Sequence, residues 1–180
     1  MAYVPRIMSF RHFLPLLLAL TVCLSHLVAG AEAGRMKVTD YFLRLPEKYF
    51  EAPPAAWLRL LRSPGGGVYD PANGYLKCVG DGAQPSFEVA LFRWRDDRPL
   101  LAVCSGELEG SDSKYLEFFE LGPDGKMRLA KRAIFPVKDG NEGGNRTFEL
   151  PRHGRTVVVR EGGKVTHRLT WDGEKFAEEK

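Results

Sequence analysis

"SFEVALFRWR" (Ser86–Arg95) decides the fold. Its side chains alternate with a period of two. Phe87, Val89 and Leu91 point one way, and Ala90, Phe92 and Trp94 point the other. Both faces of this strand are apolar, so both should be covered. Asp96-Asp97 then forms a tight turn into "RPLLAVCSG", the next strand.

The same rhythm continues towards the C-terminus. "YLEFFEL" (Tyr115–Leu121) and "MRLAKRAIF" (Met127–Phe135) flank the turn "GPDGK", and Asp-Gly between two such runs is a hairpin signal. "RTFELP" (146–151), "RTVVVRE" (155–161), "KVTHRLTW" (164–171) and "EKFAEE" (174–179) follow, separated by "RHG", "GG" and "DG". With "YLKCVG" (75–80) upstream, this makes eight or nine short strands. The expectation is a mainly β, α+β domain: an antiparallel sheet curled into a barrel or folded as a sandwich. "GDG" and "DG" recur without a strict period, which argues against a propeller.

The N-terminal part of the domain reads as helical over 46–62. Pro46 and Pro54 sit where a first helical turn tolerates a missing N–H. Trp57, Leu58, Leu60 and Leu61 form an apolar face for one or two helices packed on the sheet. Ser63-Pro64-Gly65-Gly66-Gly67 ends the helix, and "PGGGVYD" leads towards a strand.

Residues 1–33 read as a cleaved export signal. Arg6 and Arg11 give a basic start, "FLPLLLALTVCL" (Phe13–Leu24) is uncharged and apolar, and Ala31-Glu32-Ala33 fits the cleavage pattern. The apolar run is shorter than the roughly 20 residues a membrane span needs. The reading therefore places one β-rich domain at 34–180, secreted or periplasmic, with no transmembrane span after cleavage. Without the leader, 24 basic and 22 acidic residues remain, well mixed along the chain. No basic stripe of the kind that binds nucleic acid stands out.

Export also bears on the cysteines. Cys78 and Cys104 remain after Cys23 leaves, an even number in a compartment where disulfides persist. A bond closing a loop of about 27 residues contributes roughly 3–4 kcal/mol. It carries a topological condition. In a flat meander the two strands would lie about 9.6 Å apart, beyond the roughly 7 Å a disulfide spans. The expected Cys78–Cys104 bond thus requires the two strands to pair directly or to face each other across a folded sheet.

Few residues point to chemistry. No cofactor site and no metal site is expected. Asp81 lacks a companion acid before Glu88, and Asp139, Asn141 and Glu142 make only a weak calcium loop. His153 and His167 are not at zinc-ligand spacing. His167 alternates with Val165, Leu169 and Trp171, so it reads as a packed core histidine. Cys104-Ser105-Gly106 lacks the nucleophile-elbow pattern. Glu107, Glu109, Glu117 and Glu120 crowd the region 107–120 and could supply a carboxylate pair for a hydrolase. Asn145-Arg146-Thr147 is a glycosylation sequon, relevant only in a eukaryotic secretory route.

"DYFLRLPEKYF" (Asp40–Phe50), "NGYLKCVGDG" (Asn73–Gly82) and "LTWDGEKF" (Leu169–Phe176) resemble a group of exported bacterial proteins of unknown function, over most of the domain. "GDG" is also faintly similar to the turn of FG-GAP-type repeats, but without their surrounding acids. The resemblance implies no site residues.

The leading expectation is an exported, non-catalytic binding or interaction module, inhibitor-like or envelope-associated. Its partner would be a protein or an envelope polymer, met through an aromatic face containing Tyr69, Tyr75 and Tyr115. The alternatives are a hydrolase using the acidic cluster 107–120 and a calcium-stabilised structural module.

Overall fold

The computed structural model describes residues 35–50, 52–79, 86–106, 114–138 and 145–179. The segment expected to be an export signal, Asp81, Asp139 to Glu142, Glu107 and Glu109 lie outside the described residues. Met36–Lys180 makes up one compact unit.

Among the described residues, ten strands form two antiparallel sheets that do not close into a barrel. The first is a six-stranded meander: β1 (Gly67–Asp70), β2 (Tyr75–Cys78), β3 (Phe87–Arg93), β4 (Pro99–Gly106), β5 (Lys114–Leu121) and β6 (Met127–Leu129) lie side by side in chain order. The second contains β7 (Arg146–Glu149), β8 (Thr156–Glu161), β9 (Lys164–Trp171) and β10 (Phe176–Glu178), also in chain order. Chain-order neighbours follow from short connections, which make adjacent antiparallel strands the cheapest pairing.

Two strand readings change. β1 is a strand of its own at the sheet edge. Its first residue, Gly67, has φ +124, and a Cβ there would meet the Lys77 carbonyl oxygen at 2.0 Å. Only glycine lets the two backbones approach this closely. Conversely, "MRLAKRAIF" is extended only as far as Leu129, and Arg132–Ile134 turns into a short 3-10 helix. Arg132 donates to the Phe135 and Val137 carbonyls, at 3.3 and 2.6 Å, and its guanidinium lies over the Phe135 ring. These local bonds hold a turn that ladder pairing would have replaced.

As the period-two reading of β3 requires, the six-stranded sheet is covered on both faces. Phe87 and Val89 join an apolar cluster with Leu76, Leu101, Val103 and Phe119 beneath the helices. Ala90 and Phe92 face a second cluster with Leu100, Phe118, Phe148, Val157, Leu169, Trp171 and Phe176, which fills the space between the sheets as in a sandwich. Trp171 also crosses that layer, its indole N–H donating to the Arg93 carbonyl at 2.7 Å.

The helical layer begins earlier than Pro46. Helix α1 is Val38–Phe42, a 3-10 turn covers Glu47–Tyr49, and α2 is Pro54–Arg62. At the start of α1 the Asp40 carboxylate accepts the Lys37 N–H at 2.7 Å, satisfying an N-terminal donor. On α2, Trp57, Leu58 and Leu61 are buried, but Leu60 is 40% exposed. At 100° per residue it falls on the rim of the stripe those three define.

The disulfide is corrected by the register. β3 lies between β2 and β4, so the cysteine strands are two places apart. Cys78 aligns with Phe87 and, through it, with Ser105; Cys104 is one residue off and therefore faces the other way. Cys78 belongs to the cluster under the helices and Cys104 to the layer between the sheets. The two thiols are not joined to each other. Proteolysis of the unreduced protein should give no peptide pair linked through Cys78 and Cys104. Detecting that pair by mass spectrometry would overturn the register of β2 to β4.

Candidate functional site

A shallow concavity lies on β9 and β10. It is open, about 410 Å³, and lined by Val165, Thr166, His167, Arg168, Glu178 and Glu179. A bulge in "KVTHRLTW" builds it. Val159 pairs with His167, but the next residue, Arg160, pairs with Val165, so Thr166 is an extra residue in β9. The bulge reverses the alternation and turns Val165 outward, 41% exposed.

This also corrects the reading of His167. It shares its side of the sheet with Leu169 and Trp171 but not with Val165, and it lies past the end of the packed layer. Its side chain is 37% exposed. Its Nδ1 contacts the Glu178 carboxylate on the neighbouring strand. An ionised carboxylate only accepts, so in this contact Nδ1 is the donor. Alternation gives the side that His167 faces but carries no information on where along the strand the packing ends.

On the opposite side of β9, Arg168 lies beside Val158 in the register. That outer face of the four-stranded sheet carries Thr147, Glu149, Thr156, Val158, Arg160, Val165, Arg168, Thr170, Ala177 and Glu179, and none of them is buried. Several of its charges are already matched. Arg160 donates to Glu149 at 2.6 Å, and Thr156 contacts both Thr170 at 2.8 Å and Glu179 at 3.4 Å. Arg168 makes no ion pair among the described residues.

A second polar group lies at the margin of the layer between the sheets. Glu88 is on the Ala90–Phe92 side of β3 and only 4% exposed. Its carboxylate accepts from Lys77 Nζ at 2.7 Å and from the Leu150 N–H at 3.0 Å. Tyr75 is its other partner. Burial pushes the Tyr75 phenol well above its ordinary pKa, and the Glu88 charge and hydrogen bond add to this. Nearby, Asp70 accepts from Asn73 at 2.9 Å and from Arg152 at 2.7 Å. Leu150 and Arg152 flank Pro151 in the link from β7 to β8, so both carboxylates tie that link to the edge of the other sheet. These bonds saturate the carboxylates and make the group a structural latch.

The latch has a pH signature. The Asn73 and Arg152 hydrogen bonds hold the Asp70 carboxyl at about 2, below its ordinary 3.8. A depressed pKa means that the stabilisation is present above the ordinary value and is lost as pH falls through the folded one. Between roughly pH 4 and pH 2, wild type should therefore lose stability more steeply than Asp70→Asn. Parallel slopes in urea titrations across that window would show that Asp70 is not held this way.

The residues expected to form an aromatic face do not converge. Tyr75 is buried between the sheets. Tyr69 lies on edge strand β1, on the helix side, where Arg62 donates to its hydroxyl at 2.9 Å. Tyr115 is also on the helix side, 45% exposed, but four strands away on β5. Of the acidic cluster, Glu117 aligns with Val103 and Glu120 with Leu100, whose side chains point to opposite faces. Those two carboxylates cannot flank one bond. Glu88, the other acid weighed for a calcium loop, is taken up by the latch.

Among the described residues, no group of three or more His, Cys, Asp or Glu side chains is placed to hold a metal ion. Among the described residues, no helix is long and apolar enough to cross a membrane. In comparisons with known proteins, no family model, no curated protein and no solved structure matches the chain.

Proposed function

We propose that this chain is an exported, non-catalytic binding module that meets a protein partner through the outer face of its four-stranded sheet. One observation carries the reading. Both faces of the six-stranded sheet are packed, and so is the inner face of the four-stranded sheet, whereas no described element packs over the outer one. An uncovered sheet face with β-branched residues and a few charges is a flat surface with both apolar area and hydrogen-bonding groups, as partner interfaces have. Export rests on the basic start and apolar run of the leader.

The test uses immobilised protein in an envelope extract of the source cell. Wild type should retain a partner that Val158→Glu loses, because Val158 stands in the middle of the face. Leu60→Glu, on the exposed rim of α2, should retain it. Equal retention by Val158→Glu and wild type would reject this face as the contact surface.

A further inference from the structure

We infer that the recess on β9 and β10 takes a carboxylate from an acidic segment of the partner protein, gripped by Arg168. The inference rests on the reading of this sheet face as the contact surface and names the chemistry that would anchor a partner there.

The argument is an accounting of hydrogen-bonding capacity. The recess is lined by one guanidinium, one imidazole, one hydroxyl and two carboxylates. Glu178 is engaged by His167 Nδ1. Glu179 takes the Thr156 hydroxyl at 3.4 Å. Thr166 donates its hydroxyl to the Val159 carbonyl at 3.4 Å. The neighbouring acid on the same sheet face, Glu149, is engaged by Arg160 at 2.6 Å. Arg168 is different: it is exposed and has no ionic partner among the described residues, so its donors are the unspent capacity of the site. A guanidinium fork matches a carboxylate in bidentate geometry.

The neighbours narrow the class. Glu179 shares Arg168's side of the sheet and Glu178 lines the same recess, so a doubly charged phosphate meets more repulsion than a singly charged carboxylate. Val165 supplies an exposed apolar side chain for the methylene stem of a Glu or Asp. The recess is open at the surface of the sheet, which suits a side chain carried by a macromolecule. The bulge at Thr166 is what turns Val165 to the side of Arg168, and bulges often re-aim side chains in this way at sites.

The probe is a short oligo-glutamate peptide titrated against the full mature chain, followed by amide NMR. Wild type should bind with shifts centred on 165–168 and 178–179, and binding should weaken with salt. Arg168→Ala should weaken binding roughly tenfold or more, the loss of a charge-assisted pair. Arg168→Lys should fall between, since it keeps the charge and loses the fork. Arg155→Ala, an exposed arginine outside the recess, should bind as wild type does. Equal binding by Arg168→Ala and wild type would overturn the inference. Tighter binding of oligogalacturonate than of oligo-glutamate would overturn it in favour of an acidic glycan. If Val158→Glu loses the envelope partner while Arg168→Ala retains it, the sheet face stands and the carboxylate grip falls. Retention by both variants rejects the face itself.

Discussion

Phe176→Ala should cost about 3–5 kcal/mol of unfolding free energy, the range for removing a buried phenylalanine from a packed core. The residue looks unpromising in the chain. It opens a three-residue edge strand close to the C-terminus, where fraying is the usual fate. Yet it is only 3% exposed, and its ring is the hub of the layer between the sheets. Trp171, Phe135, Phe92 and Phe118 stand around it with centroids 4.9, 5.1, 5.2 and 5.3 Å away. Phe92 and Phe118 belong to the six-stranded sheet, Trp171 to the four-stranded one, and Phe135 to the segment linking them. Truncation leaves a cavity that four rings on separate elements cannot close without moving both sheets. The measurement is urea unfolding followed by tryptophan fluorescence. Leu129→Ala, at a residue 57% exposed, is the comparison and should cost under about 0.5 kcal/mol. A Phe176→Ala loss no larger than that of Leu129→Ala would mean that β10 is not part of the core.

The strand content was legible because the signal is local. In β3, β4 and β5 the apolar positions alternate, and the side of the sheet each residue faces follows directly from its parity. The pairing of sheets was not, since nothing in a period of two says which face meets a helix and which meets another strand. The ten strands could have formed one curled sheet. The connection between the two sheets carries the 3-10 turn at Arg132–Ile134, which depends on where one guanidinium finds its acceptors. The disulfide failed for a related reason. The condition for it was readable from strand spacing, but whether β3 lies between the two cysteine strands is a question of topology. The site was the least legible part. Thr166 is an ordinary residue in an alternating run, and only the register reveals that it turns Val165 to the side of Arg168. Tyr75 and Glu88 illustrate the opposite error. Each looks like surface chemistry in the sequence, and each is buried because the other satisfies it.

That mutual satisfaction leads to the second large effect. Glu88→Ala should lower stability by about 3 kcal/mol, although it removes a charged residue from an apolar layer. The net worth of a buried ion pair is small, because desolvation offsets much of the attraction. The cost of breaking one comes from what is left behind. Without the carboxylate, the Leu150 N–H and the Tyr75 hydroxyl lose their acceptor in a region closed to water, and each unsatisfied buried group costs about 1–3 kcal/mol. Lys77 adds less, since its side chain is 39% exposed and can turn to solvent. Glu88→Gln separates these contributions. The amide oxygen can still accept from Leu150, so about 1 kcal/mol should be lost, with the uncompensated lysine as its main source. Glu88→Ala should also raise hydrogen exchange at Leu150 and Arg152 before the rest of the four-stranded sheet, because the link between β7 and β8 is what the carboxylate fastens to β3. If the two variants cost the same, the charge on Glu88 and not its hydrogen bonds would be what holds the sheets together at this edge.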